Sequence, residues 1–150
     1  MRNMKIARIL VPLDFEEPCQ AAADLAASVA NDYGAEVIFV HVFDREAAIA
    51  HSETGYYTPI DAETIEGMHA DIKALLAKAE TAAQNKGVKT SSRAYYGRPS
   101  EVIPALAKEF GVDLIVMGSH GRTGVSRVMV GSVTEEVLRH TQIPTLVIHP

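Results

Sequence analysis

The chain contains one cysteine and no tryptophan. A single cysteine, Cys19, cannot form an internal disulfide bond or a cysteine-rich metal centre, which fits a reducing cytoplasm. No His or Lys flanks Cys19 to lower its pKa. We therefore interpret Cys19 as a small helix residue rather than a reactive thiol.

Runs of positive charge and long apolar stretches are also missing. The formal net charge is −5, and no Lys/Arg cluster supplies the phosphate-neutralising surface that nucleic acids need. The first apolar run, Ile9 to Leu13, is interrupted by Pro12 and closed by Asp14. It is too short for a secretory core or a membrane span. We expect a cytoplasmic protein that binds neither nucleic acid nor membrane.

The composition is that of an ordinary globular chain. It has 150 residues, of which 47% are apolar and 22% are charged. A chain of this length buries roughly two-thirds of the surface that its unfolded form exposes. We expect one domain that covers residues 1–150.

Five short runs with high β propensity alternate with helical patterns, which predicts a parallel sheet covered by helices. Three of the runs are almost continuously apolar, as expected for central strands. By contrast, the run Val88–Ala94 is polar and is predicted to be an edge strand. The five runs are Ala7–Leu13, Val37–Val42, Val88–Ala94, Leu114–Met117 and Thr145–Ile148.

Apolar residues at three- and four-residue spacing predict four helices between the strands. The segment from Asp44 to Asp61 has no clear periodicity. It is interpreted as a surface loop, either an ordinary crossover or a flap over a ligand. The helices span from near Pro18 to Tyr33, Ile65 to Ala79, Pro99 to Phe110 and Ser132 to about His140.

A glycine-spaced segment follows the fourth strand. Gly118 and Gly121 come directly after the strand, and Gly131 precedes Ser132 at a helix start. Glycines allow backbone N–H groups to approach phosphate oxygens closely, and a helix N-terminus favours an anion. Ser132 and Glu135 have the spacing of a capping box. The segment predicts a phosphate site.

Neither common phosphate motif explains this segment. A P-loop requires Gly-Lys-Ser/Thr at its end, and a dinucleotide fingerprint requires Gly-x-Gly directly after the first strand. The chain instead has Pro12-Leu-Asp14 after its first strand. These differences argue against P-loop NTPases and Rossmann dehydrogenases.

The spacing Gly-x2-Gly-x9-Gly-Ser resembles the nucleotide-binding signature of the universal stress protein family. Further fragments extend the resemblance along nearly the whole chain, in the family's order. They are Ile9-Leu-Val-Pro-Leu-Asp14-Phe, His41-Val42, Gly97-Arg-Pro99, Asp113-Leu-Ile-Val-Met-Gly-Ser-His-Gly121, Gly131-Ser-Val-Thr-Glu-Glu-Val-Leu and Pro144-Thr-Leu-Val-Ile148.

The resemblance implies an α/β fold of the Rossmann-like, adenine nucleotide alpha hydrolase-like type. Its open five-stranded parallel sheet has the order 3-2-1-4-5, with helices on both faces. In such sheets, ligands bind beyond the carboxyl ends of the strands, where the strand order reverses.

The resemblance also implies the residues that contact a nucleotide. One group would line the adenine and ribose pocket, and the other would surround the ribose and phosphates. The first group is Pro12, Asp14, Val42 and Met117; the second is Gly118, Gly121, Gly131, Ser132 and Val133, with Thr134 as a further candidate.

One position departs from the family pattern. Many members have Ser or Thr two residues after the strand-end Asp, but this chain has Glu16 there. An added carboxylate would weaken triphosphate binding unless it faces solvent or helps to hold Mg²⁺. Arg122 and Arg127 could offset it, or lie on a solvated loop face. His120 has no partner spaced for nucleophilic catalysis, and the other histidines are expected at the surface or in packing roles.

The resemblance implies a cytoplasmic ATP-binding regulator. AMP could compete with ATP for the site, and Mg²⁺ could bind together with the nucleotide. It also implies a homodimer formed through Thr145–Ile148 and an unidentified regulatory protein partner. We expect no enzyme activity beyond slow ATP hydrolysis. The alternatives are a dimeric interaction module that binds no nucleotide, and a slow ATPase or phosphotransferase.

Overall fold

The computed structural model describes residues 5–14, 17–44, 57–119 and 131–149. Strands and helices alternate along most of the chain, as predicted. In chain order the elements are β1 (Arg8–Pro12), α1 (Glu17–Tyr33), β2 (Glu36–Asp44), β3 (Tyr57–Pro59), α2 (Ala62–Met68), α3 (Ala70–Gln84), β4 (Thr90–Gly97), α4 (Pro99–Glu109), β5 (Leu114–Gly118), α5 (Ser132–His140) and β6 (Thr145–Ile148).

The strands form one sheet in the order β3-β4-β2-β1-β5-β6. Five of them, β4, β2, β1, β5 and β6, are parallel neighbours. Their order confirms the predicted 3-2-1-4-5 arrangement. The order reverses between β1 and β5, so the helices that follow these two strands pack on opposite faces of the sheet and leave a crevice at the carboxyl ends of the strands.

The prediction of five strands is wrong, because the sheet has six. Strand β3 pairs antiparallel with the end of β4, with Tyr57 opposite Gly97 and Pro59 opposite Tyr95. Strand β4 is therefore not the edge along its whole length, and part of the predicted loop is a strand. Residues 45–56 of that loop lie outside the described residues.

The sheet separates two apolar cores. Alternate side chains of a strand face opposite sides of a sheet. On one side Val11 and Phe39 pack against α1 and α3, and on the other Leu10 and Val40 pack against α4 and α5. Helix α1 contributes mainly alanines, which let the helix approach the sheet closely. These buried alanines are Ala22, Ala23, Ala26, Ala27 and Ala30.

The helix predicted from Ile65 to Ala79 is two helices, α2 and α3. His69 separates them with φ −134° and ψ 44°, outside the helical region. The sequence has no proline at this point to announce a break. Among the described residues, no helix has the length and apolar character needed to span a membrane.

Candidate functional site

A cleft of about 540 Å³ lies at the carboxyl ends of β1, β2 and β5. The starts of α4 and α5 form its other side, through Pro99 and the segment from Gly131 to Thr134. It therefore occupies the point where the strand order reverses. Its volume is in the range of natural small-molecule sites.

Nine of the ten residues predicted to contact a nucleotide line this one cleft. They are separated by up to 122 positions in the sequence, so the fold brings them together. The tenth, Gly121, lies outside the described residues. The nine are Pro12, Asp14, Val42, Met117, Gly118, Gly131, Ser132, Val133 and Thr134.

Helix α5 begins with Gly131 as its N-cap. The prediction of a capping box at Ser132 is wrong: Ser132 is the first helical residue, and the cap has no side chain to bond the helix. The first intrahelical hydrogen bond runs from the Glu135 N–H to the Gly131 carbonyl over 2.9 Å. The N–H groups of residues 132–134 are therefore left without intrahelical partners at the cleft.

Hydrogen bonds fix this helix start against the end of β5. The buried Thr134 hydroxyl donates to the Gly118 carbonyl over 2.9 Å, and the Gly131 N–H donates to the Ser119 carbonyl over 2.6 Å. The Thr134 hydroxyl thus acts within the protein, and only its backbone N–H remains suited to a ligand. The site is rigidly built on this side.

On the opposite side, Asp14 lies next to the thiol of Cys19. The thiol is buried, and burial is the main reason that its pKa is raised far above the usual range. The Asp14 charge and the hydrogen bond between the two side chains raise the pKa further. Cys19 is therefore a protonated donor beside the Asp14 carboxylate, and its predicted lack of reactivity gains a physical reason.

His41, at the end of β2, contacts the same segment. Its Nδ1 atom lies 2.7 Å from the carbonyl oxygen of Leu13. A carbonyl can only accept, so Nδ1 carries the hydrogen. Burial lowers the pKa of His41, while the Leu13 hydrogen bond and the charge of Asp14 oppose that effect. The ring is thus neutral near pH 7, with Nε2 as an acceptor.

Three more aromatic side chains continue from His41 towards α3. Phe43 meets the His41 ring edge-on at 4.5 Å between centroids and lies 4.2 Å from the ring of His69. His69 is buried, and its Nε2 lies 2.8 Å from the Tyr96 hydroxyl. The break between α2 and α3 is therefore packed against a wall of the cleft.

Sequence reasoning missed several residues of the cleft. His41 was expected in a surface or packing role and Cys19 in a helix, but both line the cleft. Their position near the end of β2 or in the first turn of α1, beside the strand-end Asp14, was the available signal. The other lining residues that were not predicted are Leu13, Phe43, Asp44, Pro99 and Ile103.

The predicted roles of Glu16, His120, Arg122 and Arg127 fall outside the described residues. Within the described residues, no three His, Cys, Asp or Glu side chains cluster in a way that could hold a metal ion.

Comparison with known proteins identifies the family. The universal stress protein family model matches residues 5–149. The universal stress protein YxiE of Bacillus subtilis is 31% identical over 145 residues, which cover 94% of this chain and 97% of the relative. The match therefore extends over almost the full length of both proteins.

Solved structures agree. The universal stress protein UspA from Lactobacillus plantarum has a TM-score of 0.78 and 27% identity, covering 97% of this chain and 99% of that one. The universal stress protein from Archaeoglobus fulgidus in complex with dAMP has a TM-score of 0.67 and 19% identity, covering 97% and 99%, and shares the fold. The chain belongs to the universal stress protein family.

Proposed function

We propose that this protein is a cytoplasmic, ATP-binding stress-response regulator that acts as a homodimer. The observation that carries the proposal is the convergence of a strand-end carboxylate, an apolar wall and the start of α5 around one cleft. The Archaeoglobus relative was solved with dAMP, so an adenine nucleotide is compatible with this fold.

The apolar part of the cleft suits a planar base. Pro12, Val42, Ile103 and Met117 line it, and the last two are buried. Most natural ligand pockets combine such a wall with a few polar groups that fix orientation. Asp14 can accept hydrogen bonds from a base or a sugar hydroxyl. This half of the cleft selects a nucleoside.

The start of α5 suits the phosphates. Its N–H groups at residues 132–134 have no intrahelical partner, and the helix dipole adds partial positive charge there. Ser132 is exposed at the same place and can donate a hydrogen bond to a phosphate oxygen. Gly118 and Gly131 have no Cβ, which leaves room for those oxygens.

We expect binding without efficient turnover. The groups proposed to face the phosphates are the N–H groups of residues 132–134 and the Ser132 hydroxyl, which donate hydrogen bonds to an anion rather than take a proton from water. ATP hydrolysis or phosphotransfer faster than about 1 s⁻¹, the low end for ordinary enzymes, would contradict this part of the proposal.

The first experiment is to denature the purified protein by heat and identify any released nucleotide. Calorimetry then compares ATP, AMP and adenosine on the nucleotide-free protein. Binding of ATP or AMP with weaker binding of adenosine is the expected result. A folded dimer that binds none of them would instead be the nucleotide-independent interaction module.

A matched pair of variants tests the phosphate position. Gly131 has φ −63° and ψ 156°, a conformation open to other residues, and it caps α5. Asn and Asp are nearly equal in size and are both good N-caps, so Gly131→Asn and Gly131→Asp should fold equally well. If phosphate lies here, Asp should weaken ATP binding at least about tenfold more than Asn, through charge repulsion. Equal ATP affinities would refute the assignment.

A further inference from the structure

His41 contacts the cleft at the point where β1 leaves the sheet. The paired register of β1 and β2 ends with Pro12 opposite Val40. One backbone bond continues past it, from the Leu13 N–H to the Val40 carbonyl over 2.8 Å. On its other side β2 remains paired with β4, and His41 lies opposite Ala94. The residue that follows Leu13 is Asp14.

Where the backbone pairing between β1 and β2 stops, the side chain of His41 makes the next hydrogen bond between the two strands. Nδ1 donates to the carbonyl of Leu13 over 2.7 Å. That carbonyl belongs to the planar peptide unit that joins Leu13 to Asp14. With the Leu13 N–H held by Val40 and its carbonyl held by His41, both sides of Leu13 are tied to β2. The orientation of the peptide that enters Asp14 is thereby fixed.

The imidazole ring is itself held in place. Phe43 packs edge-on against it, and Phe43 packs in turn against the buried His69. A donor whose rotamer is locked by packing can hold its partner accurately. The stack therefore restrains the ring against rotation.

We infer that His41 is a positioning residue that sets the Asp14 carboxylate for contact with the nucleoside. It acts through the Leu13–Asp14 peptide rather than by touching the phosphates. The inference rests on the proposed function, because it assigns Asp14 a ligand. Sequence reasoning had expected His41 only in a surface or packing role, and this inference gives it a role in ligand geometry.

Two variants of similar shape separate the hydrogen bond from the packing. Asn and Leu both branch at Cγ, and the Asn amide nitrogen can occupy the place of Nδ1. His41→Leu removes the donor, and we expect about a tenfold loss of ATP affinity. His41→Asn keeps the donor, and we expect an affinity within about threefold of the unsubstituted protein. Equal losses in the two variants would overturn the inference.

A double-mutant cycle distinguishes positioning from a general structural effect. If His41 acts through Asp14, His41→Leu should change ATP affinity less than about twofold in the Asp14→Ala background. Additive losses would mean that His41 affects binding by another route, and the inference would fail. Thermal unfolding of all four proteins confirms that each one is folded at the temperature of the binding measurement.

A measurement without nucleotide keeps this inference separate from the proposed function. Nitrogen-15 NMR of the ligand-free protein should find the His41 ring protonated at Nδ1 near pH 7, and His41→Leu should speed exchange of the Leu13 amide hydrogen. A ring protonated only at Nε2 would overturn the inference whether or not ATP binds. If the NMR result is as expected and the unsubstituted protein binds no adenine nucleotide, the proposed function fails instead.

Discussion

The His41 ring lies in surroundings that disfavour its protonation. Burial is the largest cause of its lowered pKa, while the Leu13 carbonyl and the charges of Asp14 and Asp71 act in the opposite direction, and His69 adds to the lowering. A lower pKa in the folded state means that the unfolded chain binds the proton more tightly. The folded state therefore becomes less stable relative to the unfolded state as the ring becomes protonated.

This shift predicts how stability depends on pH. Above about pH 6.5, the ordinary pKa of histidine, the full stability should be present, and it should fall as the pH drops through the lowered value in the folded state. His41→Asn keeps a donor but does not titrate, so it should show a smaller fall over this window. Urea unfolding of both proteins from pH 7.5 to 5 checks this. A steeper fall in the variant would contradict the prediction.

Cys19 gives a second prediction for a single side chain. Its raised pKa keeps the thiol protonated, and only the thiolate is an effective nucleophile. Iodoacetamide at pH 8 should leave Cys19 unmodified in the folded protein and alkylate it fully in urea. Mass spectrometry measures both. In the structure only 6% of the surface of Cys19 is exposed to solvent. Rapid alkylation of the folded protein would contradict this burial.

Sequence reasoning at this scale succeeded where the candidate residues form a spacing that is visible in the sequence itself. Gly118 and Gly131 could be found because glycine spacing after a strand is itself a signal. His41 was missed because its contact with Leu13 spans 28 residues of the chain, and Cys19 was missed although Asp14 lies only five residues before it. Whether the cleft residues bind a nucleotide stays a prediction.

Helix α1 approaches the sheet through small side chains, and this makes it sensitive to added volume. Ala26 is fully buried, whereas Ala21 in the same helix is exposed. Ala26→Leu should lower the free energy of unfolding by about 1–3 kcal/mol, because the added atoms have no space. Ala21→Leu, the same change on the solvent side, should alter it by less than about 0.5 kcal/mol. Urea unfolding compares them, and equal effects would argue against this packing.

Elements with strong periodicity were predicted well, and breaks set by tertiary contacts were not. The apolar runs around Ile9, Val37 and Leu114 predicted three central strands because both of their faces are covered. At the division between α2 and α3, His69 contacts Phe43 and Tyr96, which lie far from it in the chain. The residues next to His69 in the sequence do not indicate those contacts. The N-cap at Gly131 was missed because Ser132 suggested a more common motif.

Strand β6 lies at one edge of the sheet. Its outer side is where a second copy of the chain is proposed to pair. Leu146 on this strand is 41% exposed, and unpaired edge strands tend to associate. In a two-fold dimer the same residues of both copies meet. Leu146→Glu should therefore convert a dimer into a monomer at micromolar concentration, because it brings like charges together.

Leu25→Glu is the matched control, since Leu25 is 37% exposed on α1. Sedimentation velocity should find a dimer for the unsubstituted protein and for this control, and a monomer for Leu146→Glu. A monomeric unsubstituted protein would contradict the proposed assembly. A dimeric Leu146→Glu variant would move the interface away from β6.

Gly97 is paired on both sides: Asp44 at the end of β2 is its partner on one side, and Tyr57 at the start of β3 is its partner on the other. Asp44 and Tyr57 therefore lie only two strand spacings apart, roughly 10 Å. Doubling the length of such an excursion adds only about 0.6 kcal/mol of closure entropy. We therefore expect insertions and deletions between Asp44 and Tyr57 to be nearly neutral for folding, so that the length of this connection can vary while the architecture stays the same.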